Sequence, residues 1–242
     1  MSERRLIALL EGIWPSTLVK NKDGHNFMKK LEIFMACKKP YIVVQKFGQD
    51  FSGPACNFNK DFPCDKTLYQ HFGLKGHEGW DFYAYAKGSF YIVDFPLYAP
   101  IEGVIEYIEN DVSLGLGIVI KTTEKYLDNT GQPYYWKIRL WHLAKNSIVA
   151  KFGQKVAIGD YLGMADNTGY STRLHTHMDL KPVDDNFNNV FQNNDFKGAV
   201  DLAPYLSDLT AFELRKLLYQ TIPEMLQKIA EQVASLIKSW KK

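Results

Sequence analysis

"GLKGHEGWDFYAY", residues 73–85, can be read as a helix or as a strand, and the choice decides the fold around it. His77 and Asp81 are four residues apart, which places them on one face in either structure. Gly76 and Gly79 interrupt the run, and each costs about 1 kcal/mol in a helix relative to alanine. The aromatic "DFYAY" that follows suits a pleated surface. The strand reading therefore prevails. His77, Gly79 and Asp81 then share a face, Glu78 points to the other, and the missing side chain at Gly79 leaves room between imidazole and carboxylate.

The neighbouring sequence agrees. From "YIVVQKFG" at 41 to "MDLKPV" ending at 183, short runs of β-branched and aromatic residues alternate with Gly, Asn, Asp and Pro turn signals. A mainly β domain over residues 41–185 is predicted, flanked by helical segments. Residues 1–40 carry helical spacing (Leu6, Ile7, Leu10, Ile13, then Met28, Leu31, Phe34, Met35) up to Pro40. Residues 186–208, opening within the Asn-rich "DDNFNNVFQNNDFKG", read as a linking loop. Residues 209–242 read as a helical tail, with Thr210 as N-cap and Pro223 opening a second helix. In that helix Ile222, Leu226, Ile229, Val233, Leu236 and Trp240 form a seam of fewer than three heptads, too short to demand an oligomer, and a monomer is expected. The seam can pack on the β domain, and its basic end, "IKSWKK", can also meet an anionic envelope surface.

Composition narrows the function classes. Lys+Arg 29 against Asp+Glu 27 gives a net charge of +2, which is no electrostatic footprint for nucleic acid. No stretch approaches the roughly 18 apolar residues of a spanning helix. Glu11 breaks the N-terminal apolar run and no small-residue cleavage site follows, so a soluble chain made without a cleavable signal is expected. Of the three cysteines, Cys56 and Cys64 can bridge across "CNFNKDFPC" or stay reduced.

The second informative stretch is "LHTHMDL", residues 174–180, with His175 and His177 on one face of a predicted strand. A catalytic zinc takes three protein ligands and keeps a position for water. His77 and Asp81 can supply two, and one of the histidine pair a third. The remaining imidazole, about 6–7 Å along the strand, can reach that water instead and move its proton. His142 in "RLWHLAK" alternates with Leu140 and Ala144 on another predicted strand face.

In order and spacing, "HEGWD", "LWHL" and "HTH" resemble the three motifs of the lysostaphin/LytM-type zinc endopeptidases, which cut peptide crosslinks of bacterial cell walls. "YAPIEGVIEYI", "GLGIVIKT" and "VAKFGQKVAIGDYLGMADNTGYST" are similar to the family's connecting strands, and the likeness covers roughly residues 42–182. The resemblance implies an antiparallel β-sheet or β-sandwich of the duplicated-hybrid-motif kind. It implies Zn2+ held by His77, Asp81 and His177, with His175 as base and His142 assisting at the water or the oxyanion. It also implies a groove for peptidoglycan stem or bridge peptides, with Tyr69, Trp80 and Tyr170 as candidate wall residues. Arg173 and Leu174 stand where the family has Gly-Pro, and Thr176 replaces an apolar residue, changes that bear on substrate preference and leave every ligand position filled. A full ligand set without a cleavable leader suits a bacteriophage endolysin or virion-associated lysin acting on the wall from the host cytoplasm. Two other readings stay open. One is a non-catalytic module that binds wall peptides. The other is a protease of the H-E-x-x-H kind, in which Glu78 would be the general base.

Overall fold

The computed structural model describes residues 18–20, 26–85, 94–220 and 227. A hairpin of β1 (Leu18–Lys20) and β2 (Asn26–Met28) comes first, followed by β3 (Ile33–Met35) and β4 (Tyr41–Gln45). A one-turn helix, α1 (Leu68–His71), precedes β5 (Trp80–Ala84), β6 (Pro96–Tyr98), β7 (Gly103–Asp111) and β8 (Gly115–Lys121). Then come β9 (Tyr126–Leu127), β10 (Pro133–Trp141), β11 (Lys155–Val156), β12 (Tyr161–Met164), β13 (Thr176–Val183) and β14 (Leu206–Thr210). A helix, α2, occupies 211–220. The expected mainly β, antiparallel architecture is present: the principal sheet has eight strands in the order β11-β7-β8-β10-β13-β5-β4, with β9 also on β10.

Alternation explains how this sheet makes both a core and a site. Trp136, Ile138 and Leu140 of β10, Met178 and Leu180 of β13, and Phe82 of β5 are buried in one apolar cluster. Leu97 and Leu162 from the β6–β12 pair, with Ile33 and Met35 from β3, belong to the same cluster. The intervening residues of β10 and β13 are polar: Lys137, Arg139, His177, Asp179 and Lys181. Because neighbouring side chains on a strand point to opposite faces, burying the even-numbered apolar set turns these odd-numbered residues to the second face. Every residue of β13 is buried, so that second face is covered too.

The flanking segments and the cysteines compare with the expectations as follows. Residues 26–35 form strands where the spacing of Met28, Leu31, Phe34 and Met35 suggested a helix. Ile33 through Cys37 are all buried, and β3 pairs with β14 in parallel. A continuous apolar run of that length fits a covered strand as well as a helix face, and tertiary pairing decides. The expected helix over the first residues and the 222–240 seam lie outside the described residues, Gln227 excepted. The segment 186–208, expected as a linking loop, is tied to the sheet. Val200 donates to Leu180 O (2.9 Å), Lys75 to Asp195 O (3.0 Å), and Ala199 and Leu202 are buried. Finally, Cys56 and Cys64 are joined in a disulfide, while Cys37 is buried and free.

The Thr210 cap is present as expected. Its Oγ1 accepts from Glu213 N (3.2 Å), and Glu213 Oε2 accepts from Thr210 N (2.8 Å), satisfying two orphan donors at the start of α2.

Trp141 ends β10 with its ring laid over Gly117 of β8, where an added Cβ would collide with the indole. Gly117→Ala is expected to destabilise the fold by about 1–3 kcal/mol through overpacking, read as a lowered midpoint in thermal or urea unfolding.

Candidate metal centre

β13 pairs with β5 so that His177 lies directly opposite Asp81. His77 precedes β5 in an extended bend held at both backbone groups: its N–H donates to Gln49 O (2.7 Å) and its carbonyl accepts from Gly48 N (2.8 Å). No helix runs through 76–82; the segment bends and then enters β5 at Trp80. An ideal Cβ at residue 79 would lie 2.4 Å from the backbone carbonyl oxygen of Met178 and 2.9 Å from Cε1 and Nε2 of the His177 ring. The empty face at Gly79 therefore admits both the β13 backbone and the imidazole.

Three donor atoms converge there. His77 Nε2 lies 2.7 Å from His177 Nδ1, and each lies 3.1 Å from Asp81 Oδ1. A tetrahedral zinc with bonds of about 2.0–2.1 Å spaces its ligand atoms about 3.3 Å apart, close to this triangle. One proton can bridge only two of the three atoms, so a cation with several acceptors suits the arrangement better. The donor set fits zinc. Burial holds the His77 pKa below its usual value. Burial alone would also lower His177, but Asp179 and Asp81 outweigh it and raise the group to about 9, the mark of a point that favours positive charge. Asp81 stays well below the carboxylate range: burial opposes ionisation, and His77 and His177 overcome it.

A second group of potential donors, Glu78, His177 and Asp179, also lies close together. Its carboxylates already hold a cation. Arg139 Nε donates to Asp179 Oδ1 at 2.7 Å and Nη2 to Glu78 Oε1 at 2.9 Å. Glu78 lines the same cleft, but its Oε1 is committed to a guanidinium and it is not one of the three converging donors.

Two further imidazoles face the same cleft. His175 Nε2 lies 3.6 Å from Asp81 Oδ2, and its Nδ1 lies 2.8 Å from Arg173 O. A carbonyl can only accept, so the proton of the neutral ring sits on Nδ1 and Nε2 offers a lone pair. His142 is arranged alike, with Nδ1 2.6 Å from Thr168 O. Burial, with His175 beside it, lowers the His142 pKa to about 3, so this ring is neutral. Its ring centre lies 4.5 Å from that of His175. His142 does not reach the site by strand alternation, as the sequence suggested. β10 ends at Trp141, and φ of +64° at His142 swings the ring inward.

The cleft encloses about 270 Å³ and includes Tyr69, Tyr170, Phe58, Phe72 and Lys197 in its lining. Tyr69 Oη accepts from Gln45 Nε2 (3.1 Å), and its ring packs 5.5 Å from His77. Trp80 is not part of this wall. It is one residue from Asp81 on β5, so it points into the core, where its indole N–H donates to Asp201 Oδ1 (3.1 Å). The disulfide-closed loop contributes Phe58 to the lining, and Phe62 packs edge-on against Tyr170 at 5.8 Å. Sequence reading missed Arg139 and Asp179. Asp179 had a signal in its parity, since it shares a strand face with His177, whereas Arg139 lies on the opposite parity to His142 and had none.

No family profile matches the chain, and no curated protein does. Among solved structures, it is similar to a zinc-containing peptidase from Vibrio cholerae (19% identity, TM-score 0.47, 78% of this chain and 43% of that one). It is also similar to the catalytic domain of lysostaphin from Staphylococcus simulans (21%, 0.43, 68% and 91%) and to the SpoIIQ–SpoIIIAH pore-forming complex (14%, 0.45, 76% and 94%). The chain thus spans less than half the length of the Vibrio protein.

Gly79→Ala is expected to displace His177 and to weaken Zn2+ binding in competition with a chromophoric chelator. The added Cβ also presses on the Met178 carbonyl, so far-ultraviolet circular dichroism is recorded to separate a shift of β13 from a shift of the ring. Unchanged zinc affinity would show that the ring is not seated by the glycine.

Proposed function

We propose that this chain is a zinc-dependent endopeptidase of the lysostaphin/LytM type that hydrolyses peptide crosslinks of bacterial peptidoglycan. The observation that carries the reading is the convergence of His77 Nε2, Asp81 Oδ1 and His177 Nδ1 beside two imidazoles whose Nε2 atoms are free to accept. The three sequence motifs that resemble the family supply these five side chains in the family's order.

His77, Asp81 and His177 would hold the zinc, which when bound supplies Lewis-acid polarisation of a peptide carbonyl and acidifies water at neutral pH. His175 is the base. With Nδ1–H committed to Arg173 O, its Nε2 takes a proton from the attacking water and returns it to the leaving amine. His142 is neutral and its proton is committed to Thr168 O. Its Nε2 therefore accepts a hydrogen bond, which suits holding the water and does not suit donating to an oxyanion. Tyr69 and Tyr170 are proposed as walls for an extended peptide. Glu78 is unsuited to base catalysis because Arg139 holds its carboxylate.

The test is digestion of purified sacculi and of synthetic crosslinked stem and bridge peptides by the zinc-loaded protein, with products identified by mass spectrometry. His175→Ala is expected to lower turnover by about 10²–10⁴-fold while zinc content is retained. Glu78→Gln, assayed at saturating zinc, is expected to stay within about tenfold of wild type, well short of the loss of a general base. Intact substrates with a zinc-loaded wild type would overturn the proposal, and peptide binding without cleavage would identify a binding module.

A further inference from the structure

The two nitrogens of His177 have different neighbours. Nδ1 faces His77 and Asp81, the proposed ligands, whereas Nε2 lies 3.3 Å from Asp179 Oδ2. Neither Nε2 nor Oδ2 has another hydrogen-bond partner among the described residues, and the Glu78 carboxylate, which Arg139 holds through Oε1, lies within 4.8 Å of the pair. A neutral imidazole carries one proton. For Nδ1 to present a lone pair, that proton must be on Nε2, and Asp179 Oδ2, 3.3 Å away, is placed to receive it. Contrast His77, whose second nitrogen, Nδ1, is buried without a hydrogen-bond partner among the described residues.

Asp179 is itself fully buried, and an isolated carboxylate there would be costly. Arg139 compensates it. β10 and β13 pair with Arg139 opposite Asp179 and Trp141 opposite His177, so the guanidinium is delivered by strand register. Its fork then reaches a third strand region: Nε holds Asp179 Oδ1, and Nη2 holds Glu78 Oε1, the residue next to His77. One planar cation thus ties together the segment carrying His177 and the segment carrying His77.

We infer that Asp179 is a positioning residue that sets the orientation and tautomer of His177 for cation binding, and that Arg139, anchored on Glu78, holds Asp179 in place. The inference rests on the reading above that His77, Asp81 and His177 hold zinc. Carboxylates behind a ligating imidazole typically change metal affinity by about 10–100-fold when removed.

The experiment measures Zn2+ affinity of the full chain by competition with a chromophoric chelator, together with the His177 tautomer in zinc-free protein by long-range ¹H–¹⁵N correlation. At a pH alkaline enough to leave the zinc-free ring with one proton, wild type is expected to carry it on Nε2. Asp179→Asn is nearly isosteric, but Arg139 will take the amide oxygen and leave the NH2 group facing Nε2. The proton is then expected to move to Nδ1, with zinc affinity lower by about 10–100-fold. Arg139→Lys keeps the charge and loses the fork, so a smaller loss in the same direction is expected. If wild type binds no zinc, the functional reading fails. If wild type binds zinc and Asp179→Asn changes neither affinity nor tautomer, the positioning role is overturned while the zinc site stands. Should Asp179→Asn fail to fold by circular dichroism, Arg139→Lys decides: unchanged affinity and tautomer overturn the inference.

Discussion

The structure depends on the register of β13 between β5 and β10. A strand slipped by one residue exchanges its two faces. Here a slip would drive His177, Asp179 and Lys181 into the apolar cluster and turn Met178 and Leu180 out of it. Moving either leucine- or methionine-sized side chain out of a core costs about 1.5–3 kcal/mol, and an unpaired buried charge costs more. The even-numbered apolar residues therefore fix the partners of the odd-numbered polar ones. Asp81 meets His177, and Arg139 meets Asp179, because the hydrophobic core leaves one alignment available.

Much of the site could be read from local pattern. The glycines of 73–85 argue against a helix on propensity alone, the histidine pair at 175 and 177 declares a common face, and the void at Gly79 follows from its missing side chain. What escaped required knowledge of partners distant in sequence. Arg139 and Asp179 are 40 residues apart and meet only through cross-strand pairing. His142 enters the cleft by a left-handed backbone that no alternation rule anticipates. Trp80 was assigned to the wall on its chemistry, although its parity relative to Asp81 already turned it inward. Residues 33–35 show the reverse difficulty: helical spacing in a short apolar stretch is outweighed by burial on both sides.

Electrostatically, the second face of the sheet is a row of compensated charges. Glu106 lies 3.7 Å from Lys121 and 2.9 Å from Lys137, and Arg139 answers Glu78 and Asp179. Buried ion pairs of this kind give little net stability, since desolvation offsets most of the attraction. Their value lies in geometry: each fixes the direction of a neighbour. At the His77–Asp81–His177 point the pattern changes, for there carboxylate and imidazoles face one another with no guanidinium or ammonium among them. That difference distinguishes the point from the rest of the face and makes it the place where an added cation has most to gain.

The loop closed by Cys56 and Cys64 has a practical meaning for anyone preparing the protein. Thiols stay reduced in the cytosol of most cells, and the bond forms in oxidising surroundings. Batches raised inside and outside such surroundings will share one mass to within two hydrogens. They will differ in how firmly Phe58 and Phe62 are fixed beside the cleft, so oxidation history belongs in the definition of the sample.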